Sequence, residues 1–283
     1  CALPIYTIMR NRFLILLSVS LLSLFIFSCN KEETLDSQTV AEDMTAMEDI
    51  ENEMDEIADA EAFNFAEEIP VETRNDCVVI TTTEPRGVFP NTITIDFGDG
   101  CEGDHGRVRK GKIFVNISDN MHNPGATRTV TFENFFIDDV QVTGTRTLTN
   151  SGLNIDGKPT LSVSITDFTL TFPNGEQAVK NVSRIHTFQQ GFLTPTRLDD
   201  IWTISGTTNG MTRDGKTFST LITTPLVRKG SCRWIVEGIM EITTETATIS
   251  LDFGDGACNG AGVITLPDGT TKEINLYRRW WKP

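Results

Sequence analysis

From Cys77 onward the chain consists of short runs in which β-branched and aromatic residues alternate with polar ones, and this period of two constrains the fold more than any other feature. Thr92-Ile93-Thr94-Ile95, Leu161-Ser162-Val163-Ser164-Ile165 and Glu241-Ile242-Thr243-Thr244 are examples. Such alternation suits strands with one buried face. Between the runs stand Asp99-Gly100, Asp156-Gly157, Asn174-Gly175, Asn209-Gly210, Asp214-Gly215, Asp255-Gly256 and Asp268-Gly269. Asx-Gly pairs tolerate the positive φ that tight hairpin turns need. No long helical period separates the runs, so crossover connections are not expected and the sheet should be antiparallel. The expected class is all-β: a hairpin-rich antiparallel meander, either a sandwich or an open barrel, preceded by a short acidic N-terminal helix.

One phrase occurs twice. Thr94-Ile95-Asp96-Phe97-Gly98-Asp99-Gly100-Cys101 returns as Ser250-Leu251-Asp252-Phe253-Gly254-Asp255-Gly256-Ala257-Cys258, with its first Asp 156 residues further on. Facing residues of an antiparallel hairpin have a constant sum of numbers. A Cys77–Cys101 bridge therefore implies a turn near residue 89, where Glu84-Pro85-Arg86-Gly87 and Pro90 stand, and a Cys232–Cys258 bridge implies one near Glu245. The expected unit is a hairpin stapled by its own disulfide, present at 77–101 and again at 232–258. Closing a loop of about 25 residues stabilises by roughly 3 kcal/mol in the chain-entropy model, and stable disulfides require an oxidising compartment.

The front of the chain reads as an address. Residues 1–8 read as upstream read-through before Met9. Residues 9–28 read as a signal peptide, with Arg10 and Arg12 as its charged part and Phe13 to Phe27 as its apolar part. The apolar run is too short for a spanning helix. Ile26-Phe27-Ser28-Cys29 resembles a bacterial lipobox, which implies cleavage before Cys29 and acylation of its thiol. Asn30-Lys31-Glu32-Glu33 resembles the export signal of surface lipoproteins in the Bacteroidota. These resemblances imply an outer-membrane, lipid-anchored location on the extracellular face.

Residues 29–76 read as an acidic tether and 77–283 as the body. Between Glu32 and Asp76 carboxylates outnumber bases seventeen to one, whereas in the body the two nearly balance. That balance argues against a nucleic-acid partner, which demands clustered Lys and Arg. The stretch Arg107, Arg109, Lys110 and Lys112 reads as a solvated strand face. Within the tether, Val40, Met44, Met47, Ile50, Met54 and Ile57 line one face of a helix, with carboxylates around the rest. A helix so acidic repels itself in isolation, leaving two readings: it docks its Met-rich stripe on the body, or it stays a mobile stalk.

Asp96, Asp99, Asp252 and Asp255 are candidate calcium ligands, because hard cations take clustered oxygens; turns built from Asp and Gly for backbone reasons are the simpler account, and no cofactor is expected. The repeated phrase also resembles polycystic-kidney-disease-type β-sandwich repeats, but Ile95 and Leu251 stand where that family has Trp. The whole layout of lipobox, acidic helix and threonine-rich body with the repeated phrase resembles a family of Bacteroidota lipoproteins with no assigned activity, which implies a location and no chemistry.

The residues point to no particular catalysis. His105, His122 and His186 are scattered, and no nucleophile elbow or phosphate loop is present. Asp138-Asp139, adjacent on a strand, would point to opposite faces and cannot flank one glycosidic bond. Tyr277, Trp280 and Trp281 are the candidate binding aromatics for a glycan or protein partner, while Trp202, Trp234, Phe132, Phe135 and Phe136 read as core. The expectation is a lipid-anchored envelope module that binds or builds rather than catalyses; the alternatives are a glycan-active enzyme and a calcium-stabilised adhesion module.

Overall fold

The computed structural model describes residues 30–67, 77–103, 106–194 and 196–276, with helix side chains from residue 40 onward. It contains one helix and one open antiparallel sheet. Helix α1 spans Asn30–Ala66. The strands are β1 (Val79–Thr82), β2 (Asn91–Asp96), β3 (Cys101–Glu102), β4 (Val108–Ile117), β5 (Thr127–Ile137), β6 (Val140–Leu153) and β7 (Pro159–Thr171). They continue as β8 (Gln177–Gln190), β9 (Ile201–Met211), β10 (Thr217–Lys229), β11 (Ile235–Thr244), β12 (Thr248–Asp255), β13 (Ala261–Thr265) and β14 (Thr271–Asn275). Each strand pairs with its sequence neighbours, except that β2 pairs β4 directly and the short β3 pairs only β4. Of the two expected architectures, the open curled sheet is the one present.

The sheet coils because its register slips repeatedly. Shifts occur in β4–β5, β5–β6, β6–β7, β7–β8 and β9–β10, and each such bulge adds local twist. At the β6–β7 shift, Gly144 has φ +123° and lies so close to β7 that a Cβ would sit 2.8 Å from the Phe168 Cα. Only glycine fits that combination.

The bridges Cys77–Cys101 and Cys232–Cys258 are both present. The β1–β2 hairpin turns through residues 83–90 and the β11–β12 hairpin between Thr244 and Ala247. The repeated phrase has the same geometry in each copy. The Gly98 N–H donates to Asp96 Oδ1 at 2.8 Å and the Gly254 N–H donates to Asp252 Oδ1 at 2.9 Å. Both glycines have positive φ, and Phe97 and Phe253 are both buried in the core. The phrase therefore ends a strand, turns the chain on an Asp side chain, and drops a Phe inward.

Helix α1 is part of this core. Val40, Met44, Met47, Ile50, Met54 and Phe65 are all nearly fully buried, and Ala58 and Ala62 extend the stripe. Of the two readings of the acidic segment, docking is what is observed, over a helix of 37 residues that far exceeds the expected short one. Its carboxylates are inside as well. Asp43, Glu48, Asp49, Glu51 and Glu53 are buried, each facing a base supplied by the sheet.

The expected solvated face at 107–112 is corrected by this packing. Arg107 is 1% exposed and binds Asp49 and Glu53, and Arg109 binds Glu53. Only Lys110 and Lys112 face outward, toward Asp139 and Asp96. The β4–β5 register shift falls between Lys110 and Lys112, which brings both lysines to the outer side.

Candidate functional site

The helix threads the sheet in a defined direction. Near its start, Asp43 accepts the Arg213 N–H of the β9–β10 turn at 2.8 Å and pairs with the Arg213 guanidinium. Near its end, the Phe65 carbonyl accepts the Gly87 N–H of the β1–β2 loop at 3.1 Å, and the Phe65 and Phe89 rings meet edge to face. Two acidic stripes run along it. Glu48, Glu51, Asp55 and Asp59, spaced three or four apart, face Lys180 and Arg184 of β8, Arg146 of β6 and Arg128 of β5. Asp49 and Glu53 face Arg107, Arg109 and Arg233.

Beside the C-terminal half of α1 the first of these stripes, through Asp55 and Asp59, borders a cavity of about 140 Å3 whose lining includes the exposed Glu56, Glu67 and Thr196. One wall is a continuous run of rings. His186 stacks near Trp202 at 6.4 Å between centroids, Trp202 on Phe188 at 5.6 Å, Phe188 against Phe192 at 4.7 Å, and Phe192 against His122 at 5.2 Å. The Phe188–Trp202 stack follows from register, since the two residues are partners across β8 and β9. The same lining carries four guanidinium groups, Arg128, Arg146, Arg197 and Arg228, the last of them the β10 partner of Trp202.

The charges there are unevenly matched. Asp55 binds Arg146 through two contacts of 2.7 Å, and Asp59 serves both Arg128 and Arg197. Arg228, 6% exposed, forms no ion pair with any described residue and lies 6.0 Å from the Trp202 ring. Arg128 Nε, Arg146 Nη1, Arg228 Nε and Trp202 Nε1 are buried without a hydrogen-bond partner among the described residues. Burial, and next the charge of Arg146, pulls Arg128 down to about 9. Burial likewise lowers Arg228 and Arg197. His186 is held well below its usual range by burial and then by Arg146, Arg184 and Arg228, so the imidazole is neutral.

Opposing shifts of buried carboxyls, on the helix and at Asp200 before β9, set a pH optimum. Burial pushes the Asp43 and Asp200 carboxyls up to about 6. A carboxyl raised in the folded state favours folding when protonated, so its contribution is lost as pH rises toward 6. Burial also pushes Glu48 upward, but Arg184 and then Lys180 outweigh it and hold the carboxyl well below the ordinary range. That contribution is complete above the ordinary glutamate pKa and is lost as pH falls below it. Thermal denaturation followed from pH 3 to 8 is therefore expected to give a maximum Tm at about pH 4, where the Glu48 contribution is nearly complete and that of Asp43 and Asp200 is not yet lost. A Tm still rising from pH 6 to 8 would contradict the assignment.

The residues singled out in the sequence fall elsewhere. Asp96 and Asp252 each spend an oxygen on the backbone turn, and Asp99 and Asp255 are exposed. Among the described residues no group of three or more His, Cys, Asp or Glu side chains comes together as a cation site. Cys29, Tyr277, Trp280 and Trp281 lie outside the described residues, as do His105 and residues 1–28. Phe135 is fully buried, and Phe132 and Trp234 pack against the core. Trp202 also packs on the core, yet it lines the cavity. No family model matches this chain, and neither a curated protein nor a solved structure matches it.

Proposed function

We propose that the protein is a lipid-anchored module of the cell envelope, held at Cys29 on the outer face of the outer membrane and acting by binding rather than by catalysis. The observation that carries this reading is the direction of α1. The helix is described from Asn30 onward, and the cavity lies beside its far half, from Asn52 to Glu67. At 1.5 Å per residue the cavity stands roughly 40 Å from that start. An acyl anchor at Cys29 therefore sets the bilayer at one end of the barrel-like sheet and the mouth at the other, turned toward the medium. The acidic helix agrees with this arrangement, because Asp43, Glu48, Asp49, Glu51, Glu53, Asp55 and Asp59 are paired with bases of the fold rather than left to repel an anionic leaflet.

Acylation and display are tested together. Cys29→Ser is expected to abolish acylation and leave an uncleaved precursor. In intact cells, external protease should remove the wild-type body, while the variant with Lys31, Glu32 and Glu33 replaced by Ala keeps its lipid and is protected. Wild-type protein resistant to protease on intact cells would refute surface display, and an unacylated Cys29 would refute the anchor.

A further inference from the structure

We propose that the cavity beside the C-terminal half of α1 binds a small organic monocarboxylate with a flat apolar body, its carboxylate among Arg128, Arg146 and Arg228 and its body against Phe188 and Trp202. This rests on the reading of the protein as a binding module and names the class of ligand.

Charge is the first argument. Four guanidinium groups line one cavity; of the five carboxylates on the same lining, Glu56 and Glu67 are exposed, Asp200 forms no ion pair with the four among the described residues, and Asp55 and Asp59 bind Arg146, Arg128 and Arg197, which leaves Arg228 with no ion pair among the described residues. A buried charge without a partner is costly, and a second cation nearby makes it more so. Three of these side chains, Arg128, Arg146 and Arg228, are at least nine-tenths buried and keep an unpartnered N–H among the described residues. Buried donors in native proteins nearly always have acceptors. A ligand anion supplies both the charge and the acceptors.

The chemistry of the walls narrows the class. A guanidinium matches the two oxygens of a carboxylate as a planar fork. Trp202 Nε1 is another unpartnered donor on the same lining. The Phe188 and Trp202 rings, 28° from parallel, offer an extended apolar face for a planar group. The volume suits a body of about one aromatic ring, since a cavity near 150 Å3 takes up benzene. Glu56 and Glu67 at the mouth are exposed acids, and they disfavour anions of higher charge.

Water alone is the competing occupant of such a site, and the test separates the two. The full chain is purified in detergent and titrated calorimetrically with benzoate, with benzyl alcohol as the neutral analogue, and with inorganic phosphate. Benzoate is expected to bind saturably and at least ten-fold more tightly than either of the others. Arg228→Met, which breaks no ion pair with a described residue, should weaken benzoate at least ten-fold while leaving Tm unchanged or higher. Three results overturn the proposal: no saturable benzoate binding, benzyl alcohol or phosphate binding as well as benzoate, or Arg228→Met binding benzoate like the wild type. Each is read on purified protein. Retained benzoate binding by a protein that is not acylated in cells would sink the envelope reading alone, and failed binding by an acylated protein would sink the ligand alone.

Discussion

Expressed without residues 30–66, the sheet is expected to lose its cooperative thermal transition and to aggregate, even with both disulfides intact. Val40, Met44, Met47, Ile50, Met54 and Phe65 are each no more than 2% exposed. Burial of a side chain of that size contributes about 1.5–3 kcal/mol, so the six together supply roughly 9–18 kcal/mol as an upper estimate. A whole domain is stable by only about 5–15 kcal/mol. Removing the helix also uncovers the inner faces of β2, β4 and β11, where Ile93, Ile113, Val115, Met240 and Ile242 are fully buried. Calorimetry and the dispersion of amide resonances in residues 77–283 measure the outcome. A synthetic peptide covering residues 30–67 should restore both when added in trans. A cooperative transition for the isolated sheet would show that the helix is an accessory to a self-sufficient fold.

The hairpins were legible in the sequence because period two and Asx-Gly turns act locally. The disulfide pairing was legible because each Cys pair flanks one hairpin, although the β1–β2 register sums to 175 where Cys77 and Cys101 sum to 178, and Cys101 sits on β3 beyond the paired residues. The stripe from Val40 to Ile57 announced a helix, but Ala58 and Ala62, which carry it on to Phe65, are too small to mark a face by themselves. What summing charge by segment concealed was where the charges go. Glu48, Asp49, Glu51, Glu53 and Asp55 from the segment counted as acidic, and Arg107, Arg146, Lys180 and Arg184 from the body counted as neutral, form one interior network of ion pairs.

The signal for that interior was parity. Arg128 shares a strand face with Val130, Arg146 with Leu148, Lys180 and Arg184 with Ala178 and Val182, and Arg228 with Leu226, while Ile185 beside them is exposed. Bases in the apolar register of a strand call for buried acids elsewhere in the chain. The cavity was further out of reach. Phe188 and Trp202 meet only through the β8–β9 register, and Arg128, Arg146 and Arg228 come together only once the six strands β5 to β10 have curled around α1. Neither fact exists in any local stretch of sequence.

Replacing Glu48 by Ala is expected to be the most damaging single substitution on the helix, costing about 3–5 kcal/mol. Glu48 accepts from Arg184 Nη1 at 2.9 Å and Nη2 at 2.7 Å, and from Lys180 Nζ at 3.1 Å. Lys180 is 0% and Arg184 4% exposed, so neither can turn to water when the carboxylate goes. Glu51 remains beside Lys180 but lies 3.8 Å from the Arg184 guanidinium, and Thr208 offers Arg184 only a neutral oxygen. In a chain of this size the loss corresponds to a fall in Tm of about 10 °C or more. The quadruple variant in which Glu48, Glu51, Lys180 and Arg184 all become Met is expected to recover most of that, because it removes the desolvated charges together with their partners. Glu48→Ala should also flatten the acid limb of the pH profile, since the depressed carboxyl that produces that limb is gone. A Tm within a degree or two of the wild type, or an unchanged acid limb, would mean that the Glu48 stripe is solvated and that the helix is held by its methionines alone.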